Sequence, residues 1–233
     1  MPNLLIPAPE VVLGAVTVFN ERYGEMESAL WDLSSNARDA LLSGRTLETE
    51  VLVWTVRSWW GVQGVQKKTA KIAGESIRRL GLDGSSFTQS LCDNDVGVQT
   101  CLQILSDVLA TMEELGAPRR EFSLMSKVLH WLMPWRMAAY DSFVCRIIGI
   151  SRAAGSLDAY REILVWERKA ALSLLTSGDA WMGAIEPKAP FRALDKFLWY
   201  EGGGSVNRSV IVKNPWRRIQ DALAETSGRA SSL

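Results

Sequence analysis

The chain has 233 residues, 47% of them hydrophobic and 22% charged, with 26 basic side chains balanced by 26 acidic ones. This excludes an intrinsically disordered chain and allows one large domain or two small ones with a proper core. No apolar run reaches the roughly 18–20 residues that span a bilayer, and three cysteines (Cys92, Cys101, Cys145) make neither a disulfide framework nor a thiolate metal site.

Helical periodicity runs through nearly the whole sequence. Residues 9–23 open with Pro9 and carry Val11, Val12, Ala15, Val16 and Phe19 at helical spacing; residues 25–42 follow with Met26, Leu30, Leu33, Ala37, Ala40 and Leu41. Residues 49–60 are strongly apolar and predicted to be buried. Gly61-Val62-Gln63-Gly64 interrupts them, and a basic amphipathic helix over 67–80 ends at Gly81. A long helix over 94–115 closes at Gly116-Ala117-Pro118, and the next, over 120–133, is stopped by Pro134. Further helices are predicted over about 142–154, 157–176, 190–200 and 215–226. Only residues 205–213 alternate as an extended segment would, and the small, polar tail 227–233 is expected to fray.

The expected fold is all-α, with two packed helical lobes. Residues 1–118 make the first lobe and 119–226 a basic second one. The division coincides with a charge switch: 9 basic and 15 acidic residues up to Pro118, against 17 and 11 after it. Either a solvated charged face or a polyanionic partner accounts for that asymmetry. The first residues, Met1-Pro2-Asn3-Leu4-Leu5-Ile6-Pro7, lack the basic start of a secretory signal. A reduced, cytoplasmic, monomeric protein without cofactor or membrane partner is the expectation.

A single histidine, His130, removes most catalytic-triad arrangements, and no phosphate loop or metal motif is present. The informative stretch is residues 126–146. Its core stripe is Met125, Val128, Leu129 and Leu132, and Lys127 lies off that stripe beside Leu124 and Trp131. The seven residues 134–140 can span up to ~24 Å, so Asp141 can return beside Lys127. Asp141 precedes the helical run Phe143-Val144 and Ile147-Ile148, the place of an N-cap. Taken singly, Asp141 reads as a helix cap and Lys127 as a solvated lysine; together they suggest a site.

This segment resembles the core of helix-hairpin-helix DNA glycosylases, in particular the 8-oxoguanine glycosylase branch. Lys127 occupies the place of that family's nucleophilic lysine, and Ala139-Tyr140-Asp141-Ser142-Phe143-Val144 the place of its catalytic-aspartate segment. The resemblance implies a cleft between two helical lobes, double-stranded DNA as partner, flipping of a modified base and hydrolysis of its N-glycosidic bond. It extends to divergent bacterial members that look like anti-phage glycosylases, which implies glucosylated hydroxymethylcytosine in phage DNA as substrate. No [4Fe–4S] cluster is expected with three cysteines. The chemistry suits the residue types. A carboxylate stabilises the oxocarbenium character that builds on the deoxyribose, and a neutral lysine amine can attack the anomeric carbon. Whether Lys127 attacks, with strand cleavage following, or only positions substrate stays open. So does the rival of a non-catalytic helical nucleic-acid-binding or regulatory protein.

Other expectations attach to aromatic and basic residues. Trp59, Trp60 and Gln63, with Trp131, Trp135 and Tyr140, are candidates for a base pocket, which needs an aromatic face and hydrogen-bonding side chains; core tryptophans are the plainer reading. Residues 188–218 hold seven basic and two acidic side chains. Arg192, Lys196, Arg208, Lys213, Arg217 and Arg218, with backbone N–H groups at Gly202, Gly203 and Gly204, are candidates for DNA phosphates. The glycines serve equally as a helix stop and loop.

Overall fold

The computed structural model describes residues 6–59, 67–87, 95–118, 121–150, 156–176 and 189–204. Every regular element among them is helical. In chain order they are α1 (Pro9–Leu42), α2 (Leu47–Trp59), α3 (Lys67–Arg79), a 3-10 turn (Gly84–Phe87) and α4 (Asp95–Glu114). There follow α5 (Phe122–Leu132), α6 (Ser142–Ile148), α7 (Leu157–Thr176), α8 (Pro190–Trp199) and a π-helical turn (Tyr200–Gly204). The protein is all-α over the described residues, and none of its described helices is long and apolar enough to cross a membrane. The expected extended segment 205–213, the helix over 215–226 and the tail lie outside them.

α1 is one helix of 34 residues rather than two. Pro9 suits its first turn, where a missing N–H has no intrahelical partner to lose. Gly24 falls inside the helix with open space around it; a solvated glycine costs only about 1 kcal/mol and does not force a break. The buried face follows Val12, Phe19, Glu27, Leu30, Ser34, Ala37 and Leu41. Met26, expected in the core, is instead 47% exposed.

α5 is the central helix. It packs against α1, α2 and α4, and every residue from Phe122 to Leu132 is buried except half-buried Ser123. A helix buried on all sides carries its polar residues inward, and here Ser126, Lys127 and His130 are all inside. The apolar core runs without interruption from Val12 in α1 through Met112 in α4 to Leu198 in α8, so it crosses residue 118. At that point Gly116 (φ +78°) ends α4, with Ala117 N–H donating back to the Met112 carbonyl at 2.9 Å.

α6 is shorter than predicted. It stops at Ile148 because Gly149 adopts the left-handed conformation (φ +75°) and Ile150 N–H closes back on the Cys145 carbonyl at 2.9 Å. The sequence predicts a helix to about residue 154, but a glycine in that conformation ends one whatever the character of the next residues.

α7 buries Glu167 completely, with no hydrogen-bond partner for either carboxylate oxygen among the described residues. Burial, assisted by the nearby charge of Asp195, pushes its pKa well above 4.5. The folded state therefore holds this proton at pH values where the unfolded chain has released it. Stability from the neutral carboxyl is complete below about 4.5 and is lost as pH rises towards the folded pKa. Glu167→Gln cannot ionise, so the stability difference between variant and wild type should move in the variant's favour from pH 5 to pH 8. Urea melts at the two pH values measure it; a difference that does not change with pH would mean that Glu167 titrates normally.

Candidate active site

Pro134 ends α5, and the chain turns back along it as an irregular strap over residues 133–141, buried except at Arg136 and Asp141. A buried irregular segment needs partners for its backbone polar groups. Side chains from three helices supply them. Cys101 Sγ of α4 donates to the Arg136 carbonyl (3.3 Å), and Tyr160 Oη of α7 to the Ala138 carbonyl (2.8 Å). From α5, His130 Nδ1 lies 2.8 Å from the Met137 carbonyl, which fixes Nδ1 as the protonated nitrogen. Nε2 of His130 has no hydrogen-bond partner among the described residues. Burial, with Arg192 nearby, lowers the ring's pKa against the opposing pull of Asp195, so the imidazole stays neutral. The lone histidine is thus a strap pin. Arg38 of α1 donates to the last carbonyls of α5, at Trp131 (3.3 Å) and Leu132 (3.4 Å).

The strap delivers Asp141 to Lys127. Lys127 Nζ lies 2.9 Å from Asp141 Oδ2, with side-chain exposures of 4% and 15%. Asp141 Oδ1 accepts the Phe143 N–H at 2.7 Å and so caps α6. Both carboxylate oxygens are therefore oriented, one by an ammonium and one by a backbone amide, while one edge of the group stays accessible. Lys127 is an ammonium donor in this contact, and it would have to release its proton before acting as a nucleophile. Such a carboxylate can stabilise a cation that forms against it or take a proton from water.

A second polar cluster, which the sequence reading missed, joins α1 to α8. Glu27 accepts from Arg192 Nε (2.9 Å) and Nη2 (2.7 Å), and Lys196 Nζ lies 3.0 Å from Glu27 Oε1. Arg192 also pairs with Asp195, one turn further along α8, and Lys196 donates to Asn20 Oδ1 at 2.7 Å. The guanidinium carbon lies 4.9 Å from the Trp131 ring centre and 5.1 Å from that of Phe19. Burial alone would raise the Glu27 pKa, but Arg192 and Lys196 outweigh it and bring it down to about 2. Burial lowers Lys196 to about 8 despite Glu27.

These positions correct several expectations. Arg192 and Lys196, expected at DNA phosphates, are 2% and 3% exposed and committed to Glu27. Gly202 is buried, and a Cβ there would meet Phe143 at 2.5 Å; its carbonyl accepts from Arg146 at 3.2 Å. It allows close packing of the π-helical turn, which Gly203 and Gly204 complete, on α6. Trp131 is fully buried under Arg192, edge-on to Trp31, and takes no place in a base pocket. Trp135 and Tyr140 are 7% exposed and pack against Trp31 and Phe122. Trp59 is half-buried, edge-on to Tyr23. Trp60, Gln63, Arg208, Lys213, Arg217 and Arg218 lie outside the described residues.

No protein-family model, curated protein or solved structure matches this chain.

Proposed function

We propose that the protein is a DNA glycosylase of the helix-hairpin-helix type, acting on a modified base in double-stranded DNA. The observation that carries this reading is the 2.9 Å contact between buried Lys127 and partly exposed Asp141, delivered by a strap that α5 itself anchors. In this reading α1–α4 and α5–α8 are the two lobes, and DNA lies across the seam where Asp141 emerges. As the N-glycosidic bond breaks, its electron pair leaves with the base and positive charge develops at the anomeric carbon. The Asp141 carboxylate stabilises that charge, then accepts a proton from the water that adds there. Lys127 holds the carboxylate in place. Glucosylated hydroxymethylcytosine of phage DNA is the proposed substrate, which would make the protein an antiviral factor.

The test is to incubate the protein with duplexes carrying glucosylated hydroxymethylcytosine, 8-oxoguanine or no modification, then to probe for abasic sites. Abasic sites in a modified duplex alone are expected, with binding that weakens steeply as salt releases phosphate contacts. The depth of Lys127 favours a second reading, in which the ion pair only braces a nucleic-acid-binding fold. Salt-sensitive binding without base release from any duplex would select it, and absence of binding would exclude both.

A further inference from the structure

Two hydroxyls on α5 grip the backbone of Tyr140, the residue that immediately precedes Asp141. Ser123 and Ser126 are three residues apart, so they share one face of the helix. Ser126 Oγ donates to the Ser123 carbonyl (3.0 Å) and accepts the Tyr140 N–H (3.1 Å). Ser123 Oγ donates to the Tyr140 carbonyl (3.1 Å) and accepts from Lys127 Nζ (3.4 Å). Each hydroxyl has a single proton, and both protons are committed to carbonyls. The lone pairs that remain therefore have fixed tasks, one for the strap and one for the ammonium. Cys101, His130 and Tyr160 also pin the strap, but they bond residues 136–138. Ser123 bonds both the strap beside Asp141 and the cation that pairs with it.

We propose that Ser123 and Ser126 are positioning residues for base release: they fix the Tyr140 backbone at its N–H and its carbonyl, and Ser123 carries that register to the Lys127 ammonium. This rests on the glycosylase reading of Asp141. The carboxylate must face the anomeric carbon, and a misplacement of about 1 Å can cost on the order of a hundredfold in rate. Neither hydroxyl touches substrate in this scheme, so DNA binding does not depend on them.

The experiment compares the full-length wild type with Ser123→Ala, Ser123→Thr and Ser126→Ala in two measurements. The first is the single-turnover rate of base release beside the Kd for the same duplex. Ser123→Ala should slow release by about 10- to 100-fold with Kd unchanged within about twofold. Ser123→Thr keeps the hydroxyl at a half-buried position and should return the rate to within about threefold of wild type. A merely structural serine would lower the melting temperature without separating rate from binding. Wild-type release rates in Ser123→Ala overturn the proposal. The second measurement, amide hydrogen exchange at Tyr140, needs no activity. Ser126→Ala removes the acceptor of that N–H, so exchange should accelerate by about tenfold or more while amides of α1 keep their protection. Unchanged protection of Tyr140 overturns the grip itself. A wild type that releases no base but shows this exchange pattern would end the glycosylase reading and leave the serine grip standing.

Discussion

Glu27→Gln is expected to lower the free energy of unfolding by about 3–5 kcal/mol, the range for removing one partner of a buried ion pair. The amide can still accept one hydrogen bond, but it carries no charge to balance Arg192 and Lys196, which are 2% and 3% exposed. Lys196 is already brought down to about 8 with Glu27 present, so a neutral residue at 27 leaves both cations in a medium that opposes them. The pH dependence has a definite sign. The Glu27 pKa is about 2 in the fold and near 4.5 in the unfolded chain. The unfolded state therefore takes up the proton first on acidification. The contribution of Glu27 is complete above pH 4.5 and is lost between 4.5 and 2, on the order of 3 kcal/mol in all. Lys196 has the same sign in a higher pH window. Its pKa of about 8 lies below the unfolded 10.5, so stability rises as pH climbs between those values. Denaturant melts of wild type and Glu27→Gln at pH 7 and pH 3 measure the effect, and the gap between them should shrink at the lower pH. Removing Lys196 as well should recover part of the loss, because the cation left without its carboxylate goes with it. A Glu27→Gln variant within about 1 kcal/mol of wild type at pH 7 would show that the cluster is not an electrostatic unit.

Why this cluster escaped the sequence, while the Lys127–Asp141 pair did not, is a matter of range. The apolar periodicity of α1 leaves the polar members of its buried face unread. The apolar reading places Met26 inwards with Leu30, Ala37 and Leu41; the fold buries those three and packs Leu33 partly against the core, but turns Glu27 and Ser34 inwards and leaves Met26 47% exposed. An ionised glutamate belongs on a core face only if cations meet it, and for Glu27 those cations lie on α8, Arg192 being 165 residues further on. The spacing Arg192, Asp195, Lys196 on an otherwise apolar helix was the available signal, since charges at i, i+3 and i+4 share a face. A DNA phosphate was the alternative partner, and the glutamate inside the fold is the one present. The Lys127–Asp141 contact is local by comparison. Pro134 forces the chain to turn, and the seven residues 134–140 can cover the return. Helix existence was legible for the same reason: α7 matches its predicted bounds because its apolar stripe is complete. The end of α6 was not, since the left-handed conformation of Gly149 overrides the pattern around it.

Asp141→Asn is expected to reduce base release by at least about a thousandfold, which corresponds to about 4 kcal/mol of transition-state stabilisation. The substitution isolates charge from shape. Asparagine caps helices as well as aspartate does, so it can keep the bond to Phe143 N–H, now 2.7 Å from Oδ1. The variant should therefore fold, with a modest loss of about 1–3 kcal/mol because Lys127 faces a neutral partner. What it lacks is the negative charge opposite the developing oxocarbenium. DNA binding should hold or tighten slightly, since a carboxylate can only repel phosphates; a gel-shift titration separates binding from release. Lys127 is the control for mechanism. With its Nζ engaged at 2.9 Å by Asp141 Oδ2, Lys127→Ala should slow release by about 10- to 100-fold by freeing the carboxylate, and borohydride should trap no wild-type enzyme on DNA. Covalent trapping, together with complete loss of release in Lys127→Ala, would instead make the lysine the nucleophile, its proton first handed to Asp141 and its amine then forming a Schiff base with the sugar. Both routes need the carboxylate. Undiminished release by Asp141→Asn, from a duplex that the wild type does cleave, would therefore remove this pair from the chemistry altogether.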